Sequence, residues 1–143
     1  MKLTNMEALN ASVALKELGA RDDIPIRASL DIAIISNLID VQTKAYGQVL
    51  QNLYKKYSIE AKPQENGGVQ FTCTAGTEPK EGKELDKETA KLRRENMEAF
   101  GEKLSDLLEA NTADMNFKKI KLPDDITIKP EILKSLTEFV EIG

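Results

Sequence analysis

IRASLDIAIISNLIDVQTKAYGQVLQNLYKKY, running from Ile26 to Tyr57, is the segment around which the chain is organised. It contains no proline, and its apolar residues return at helical spacing: Leu30, Ile34, Ile35, Leu38, Ile39, Val41, Ala45, Tyr46, Val49, Leu50, Leu53 and Tyr57. Ser29, Ser36, Asn37, Asp40, Thr43, Lys44, Gln48, Gln51 and Lys55 share the opposite side, where Gly47 is a mild helix cost. The repeat is eleven residues. Leu30 matches Val41, Ile34 matches Ala45, Leu38 matches Val49, Ile39 matches Leu50, and Ile35 matches Tyr46 and then Tyr57. Such a repeat favours straight or slightly right-handed packing over a left-handed coiled coil. Projected at about 100° per residue, the apolar arc is about 200° wide, roughly twice what one partner helix covers.

Outward from this helix, Thr4 and Glu7 have capping-box spacing and predict a helix from Asn5 to Leu18 that stops at Gly19. Its apolar residues fall on two faces, Met6, Leu9 and Val13 against Ala8, Ala11, Leu15 and Leu18, so it reads as a helix sandwiched between neighbours. Residues 20–25 are a connector, with Pro25 suited to the first turn of the long helix. Beyond Ser58, Asn66-Gly67-Gly68 predicts a β-hairpin turn and Gly68–Cys73 a short strand, while Thr74–Gly82 reads as a mobile loop. A third helix, about Leu85 to Ala110, carries a narrow stripe of Ala90, Met97, Phe100, Leu104, Leu107 and Leu108 and packs antiparallel on the long one. An extended segment around Met115–Leu122, a second short strand at Ile126–Ile128 and a last helix, about Pro130 to Val140, complete the chain.

The fold class expected is mainly α: a long antiparallel helical hairpin with flanking N- and C-terminal helices and a small β element. It reads as a single helical domain over residues 1–143, with a flexible hairpin and loop insertion at about 59–84. The length suits one domain able to bury a core without metals or disulfides. At 41% apolar, 31% charged and only 5% aromatic, that core is mainly aliphatic.

Composition also narrows function. A net charge of −4, with both signs interspersed, argues against nucleic acid and anionic membranes as partners. No apolar run approaches the roughly 20 residues that span a bilayer, and the first residues carry no signal pattern. The absence of histidine removes the commonest general base and zinc ligand. Cys73 has neither a histidine to activate it nor a second cysteine, and reads as a small strand residue. Asp22-Asp23 and Asp124-Asp125 lie beside a proline or a turn, where aspartate has local uses. Arg93-Arg94 and Lys118-Lys119 read as a solvated helix face and a strand edge. Tyr46, Tyr54 and Tyr57 read as rings packed beneath a neighbouring helix. No catalytic, cofactor-binding or metal-binding residue is assigned, and no cofactor is expected. The feature left over is the width of the long helix's apolar arc. Either the first and last helices cover it within the chain, or a second copy does. The candidate interaction face is Ile35, Ile39, Tyr46, Leu50, Leu53 and Tyr57.

The opening Met1-Lys-Leu-Thr-Asn-x-x-Ala-Leu-Asn10, Ile24-Pro-Ile-Arg27 before the long helix, Tyr54-x-x-Tyr-Ser58 at its end and Ile126-Thr-Ile-Lys-Pro-Glu-Ile-Leu133 before the last helix form a pattern over nearly the whole chain. It resembles small proteins encoded by tailed phages and prophages. That resemblance implies a phage or prophage origin, with no assigned chemistry to carry over. The expected function is non-enzymatic and works through protein–protein contacts: a self-associating assembly factor, accessory factor or virion component. The alternative is a small inhibitor that binds a host protein or a small ligand. The expected location is the host cytoplasm or the virion.

Overall fold

A computed structural model describes all residues from 1 to 143. The chain is mainly α. Its elements in order are α1 (Asn5–Gly19), α2 (Ile26–Tyr57), β1 (Ile59–Pro63), β2 (Val69–Cys73), α3 (Lys87–Glu109), β3 (Ile120–Leu122), α4 (Pro130–Ser135) and β4 (Val140–Ile142). Two compact units emerge, one from residues 1–46 and 108–143 and the other from 47–107.

In the first unit, α1 begins with the capping box expected from sequence. The Glu7 backbone N–H donates to Thr4 Oγ1 at 3.1 Å, and the Thr4 N–H donates to Glu7 Oε1 at 3.0 Å. The helix is one-sided rather than sandwiched. Ala8, Ala11, Ala14, Leu15 and Leu18 are buried, while Met6 and Val13 are exposed. The five buried positions make a continuous stripe that suffices to anchor the helix. Gly19 does not act as a left-handed cap, since Ala20 is the C-cap. Its value is space: a Cβ there would lie 3.3 Å from Ile32 Cγ2 of α2.

Ala28, Ile32, Ile35 and Ile39 of α2 are buried with the α1 stripe, and Leu3, Ile24, Met115, Ile120, Leu122, Leu136 and Phe139 join the same cluster. Residues 1–5 run against 110–115. Asn5 N–H donates to the Ala110 carbonyl at 2.9 Å, Thr112 N–H to Leu3 at 2.7 Å and Met115 N–H to Met1 at 2.8 Å.

The C-terminal part departs from expectation in two ways. Residues 126–128 form no strand. The Thr127 carbonyl instead accepts from Arg21 Nη1 at 2.6 Å, and Ile126 and Ile128 pack onto the cluster. The last helix ends at Ser135, where Thr137 Oγ1 donates to the last carbonyls, those of Leu133 and Lys134, at 3.2 and 3.1 Å. Released from the helix, Val140–Ile142 pair in parallel with Ile120–Leu122, the register running Ile120 to Val140. A parallel pair needs a crossover, and the segment carrying α4 supplies it.

In the second unit, β1 and β2 pair antiparallel from Ile59–Cys73 to Pro63–Val69. Gly67 at φ +85° closes their turn, and Gly68 N–H donates to Asn66 Oδ1 at 2.9 Å. Ile59, Cys73 and Phe100 are buried, with Leu50, Leu53, Tyr54, Tyr57, Phe71, Met97 and Leu104 packed around them. The end of α2 and α3 run antiparallel here. Tyr54 stacks obliquely near Phe100 at 5.8 Å between ring centroids, whereas the later residue Tyr57 accepts at its carbonyl from the earlier Asn96 Nδ2 at 3.1 Å.

The segment after β2, expected to be a mobile loop, is a loop tied to α3. Arg93 donates to the Ala75 carbonyl at 2.8 Å and to Glu78 at 2.8 Å. Gly76 sits at φ +85° directly over Thr89, where a Cβ would come within 2.9 Å of the threonine methyl. Thr89 also belongs to the cap of α3, its N–H donating to Asp86 Oδ1 at 2.7 Å and its hydroxyl to Asp86 Oδ2 at 3.1 Å. These bonds hold the Asp86 carboxyl below the usual carboxylate range.

Candidate interaction surface

The residues singled out from sequence as an interaction face lie mostly inside. Ile35 and Ile39 are buried in the first unit's core. Leu50, Leu53 and Tyr57 pack against the second unit's core, and Tyr46 is half-buried. The expectation picked one side of the wide apolar arc, and that is the side the chain buries. The arc's other edge is what remains.

That edge is well defined. The buried residues of α2 in the first unit, Ala28, Ile32, Ile35 and Ile39, fall within about 60° of one another at 100° per residue. Leu30, Ile34 and Val41 fall within about 40°, on a line some 150° from the buried face. All three are exposed, at 54%, 48% and 66%. Ile26, one turn before Leu30, is exposed too. The chain therefore covers one side of the arc and leaves the other open.

Beside Leu30 and Ile34 lies a groove of about 880 Å³, with Arg27 and Asp31 of α2, Lys118 and Lys119 before β3, Lys121 in β3 and Glu141 in β4 as its other lining residues. The alternation of β3 explains how the lysines come there: Ile120 and Leu122 point into the core, so Lys121 points out. The four cations form no ion pair within the chain, whose ion pairs are Met1–Asp114, Arg21–Asp23, Lys91–Glu95 and Arg93–Glu78. Sequence reading placed Lys118-Lys119 on a strand edge. It could not place them across from Arg27, because that juxtaposition depends on the β3–α4–β4 crossover.

The remaining singled-out residues have local partners. The Cys73 thiol is buried and donates to the Tyr57 carbonyl at 3.4 Å. Asp23 accepts from Arg21 Nε and Nη2 at 2.9 and 2.6 Å, which holds its carboxyl below the usual range. Asp124 and Asp125 occupy a turn. Arg93 is spent on Ala75 and Glu78. Tyr54 lies among Phe71 and Phe100, and burial pushes its hydroxyl pKa up. No helix is long and apolar enough to cross a membrane, and no three His, Cys, Asp or Glu side chains gather as a metal site would need. The arrangement offers contact surface: an exposed aliphatic edge with cations alongside. No protein family, curated protein or solved structure matches the chain.

Proposed function

We propose that this is a non-enzymatic phage or prophage protein that works by protein–protein contact, and that its partner on the open edge of α2 is a second copy of itself. The observation that carries this reading is the exposed line of Leu30, Ile34 and Val41 on a 32-residue helix whose opposite side is already anchored. Aliphatic side chains aligned on a rigid scaffold gain by leaving water together, at about 25 cal/mol per Å² of apolar surface buried. The resemblance of the chain's residue pattern to small phage-encoded proteins supports a phage or prophage origin; the role proposed with it is that of an assembly factor, accessory factor or virion component, in the host cytoplasm or in the particle. The only cysteine thiol is buried and bonded to backbone, which supports a role without nucleophilic chemistry.

Light scattering over a dilution series of the full chain tests this. Wild type is expected to be oligomeric, and Ile34→Glu to be monomeric with an unchanged circular dichroism spectrum. A wild type that stays monomeric at every concentration overturns self-association and leaves the alternative, a small inhibitor that masks a host protein.

A further inference from the structure

We infer that the element of the second copy that seats on this edge is the outer face of α3, through its carboxylates. The inference rests on the self-association proposed above and specifies its chemistry. In the groove, Arg27, Lys118, Lys119 and Lys121 surround Leu30 and Ile34, and none of the four has an acidic partner within the chain. Four cations against the carboxylates of Asp31 and Glu141 give the groove a local excess of positive charge in a chain of net charge −4. They suit an acidic segment with some apolar surface.

The chain carries such a segment. Glu95, Glu98, Glu102 and Asp106 recur at steps of three and four, so they align within about 80° on α3. All four are exposed, and the line lies opposite Met97, Phe100 and Leu104, which face the core. Only Glu95 has an ion pair, with Lys91 at 3.9 Å. Arg94 and Lys103 fall to either side of the line, and Leu92, 41% exposed, flanks it at one end. The stripe thus brings carboxylates for the four cations and an aliphatic side chain for Leu30 and Ile34.

A free phosphate or nucleic-acid backbone fits the groove less well. It would bring no apolar surface for Leu30 and Ile34, and Asp31 and Glu141 in the lining would repel it. The groove and the stripe are different surfaces, so the contact is heterologous, each copy giving its groove to one neighbour's α3. Opposite charges set the register, and the aliphatic contacts exclude water around them.

A charge-swap experiment on the full chain tests this. Light scattering at about 0.1 M and about 1 M sodium chloride should show association weakening by about tenfold or more, as the screening length falls from about 10 Å to about 3 Å. The double variant K118E/K119E and the double variant E98K/E102K should each lose self-association. Mixed together, the two should recover a complex, because the intact groove of one variant meets the intact stripe of the other and the reversed groove and stripe again carry opposite charges. All four side chains are exposed, so both variants are expected to keep the wild-type melting temperature within a few degrees. Three results overturn the inference. One is a wild-type oligomer indifferent to salt and to both variants, which leaves self-association standing. Another is a mixture that fails to recover. The third is a wild type that is monomeric throughout, which removes self-association as well.

Discussion

Residues 1–46 and 108–143 bury leucine, isoleucine and alanine from α1, α2 and β3 and from the segments around them, with one stacked pair of rings, Phe117 and Phe139, at 5.1 Å. Residues 47–107 bury a much smaller set around Phe100, where Tyr54 and Phe71 complete three rings in mutual contact at 5.1 to 6.1 Å. The first unit gains stability from many aliphatic contacts and must close the chain on itself to make them. The second concentrates its burial in one aromatic side chain and is built from a continuous stretch. The same eleven-residue repeat of α2 serves both. Ile39 and Leu50 are equivalent in the repeat, yet Ile39 is wholly buried and Leu50 half-buried. A repeat sets which residues can be buried; the neighbours decide which are.

The contrast can be broken most directly at Phe100. Phe100→Ala is expected to cost about 3–5 kcal/mol in denaturant unfolding. Amide exchange should show the loss concentrated in 47–107. Uniform loss across the chain would mean that the two units unfold together and that their different cores have no separate consequences. Ile39→Ala is the counterpart in the first unit and should cost about 2–5 kcal/mol. The range overlaps that for Phe100, but a core of many contributors relaxes around a deletion more readily, so the smaller value is expected. If Ile39→Ala proves the more damaging, concentration of burial is not what distinguishes the units.

Gly76→Ala comes next. It combines a left-handed φ of +85° with a contact of 2.9 Å to Thr89, and should cost about 1–3 kcal/mol. A neutral result in thermal melts would show that the loop after β2 is not held by its packing on α3. Asp86 gives a smaller, pH-dependent effect. Its carboxyl is depressed by the bonds from Thr89. Its contribution is therefore present above the unfolded value of about 3.9 and is lost as pH falls through the folded value. Asp86→Asn keeps a capping oxygen but cannot titrate. The difference in melting temperature between wild type and Asp86→Asn should therefore shrink between about pH 6 and about pH 2. A constant difference would mean that the charge of Asp86 contributes nothing to the second unit. The smallest stability change, within about 0.5 kcal/mol, is expected for Ile34→Glu, even though it should abolish association. A large loss of stability there would place Ile34 in the first unit's core instead of on its open edge.

How much of this could be read from residues alone differed along the chain. The capping box at Thr4, the turn at Asn66-Gly67-Gly68 and the strand ending at Cys73 depend on neighbours a few positions away, and all were legible. The end of α4 and the strand at Val140–Ile142 were not. Leu136, Phe139 and Val140 keep helical spacing, and only pairing with Ile120–Leu122 decides that the chain extends there. The cap at Asp86 carried a local signal, an aspartate three residues before Thr89, that the helix boundary drawn at Leu85 passed over.

Local pattern is enough to specify a long helix with an apolar arc wider than one neighbour can cover, because periodicity fixes which side chains share a face whatever surrounds them. It did not determine which part of that arc stays in water. That was decided by tertiary structure, since α1, the β3–β4 pair and α4 come from both ends of the chain and all close on one side of α2. Burial of Ile35 and Ile39, exposure of Leu30, Ile34 and Val41, and the gathering of Arg27 with three lysines follow from that one-sided closure. Contacts across such distances in sequence leave no trace in local pattern.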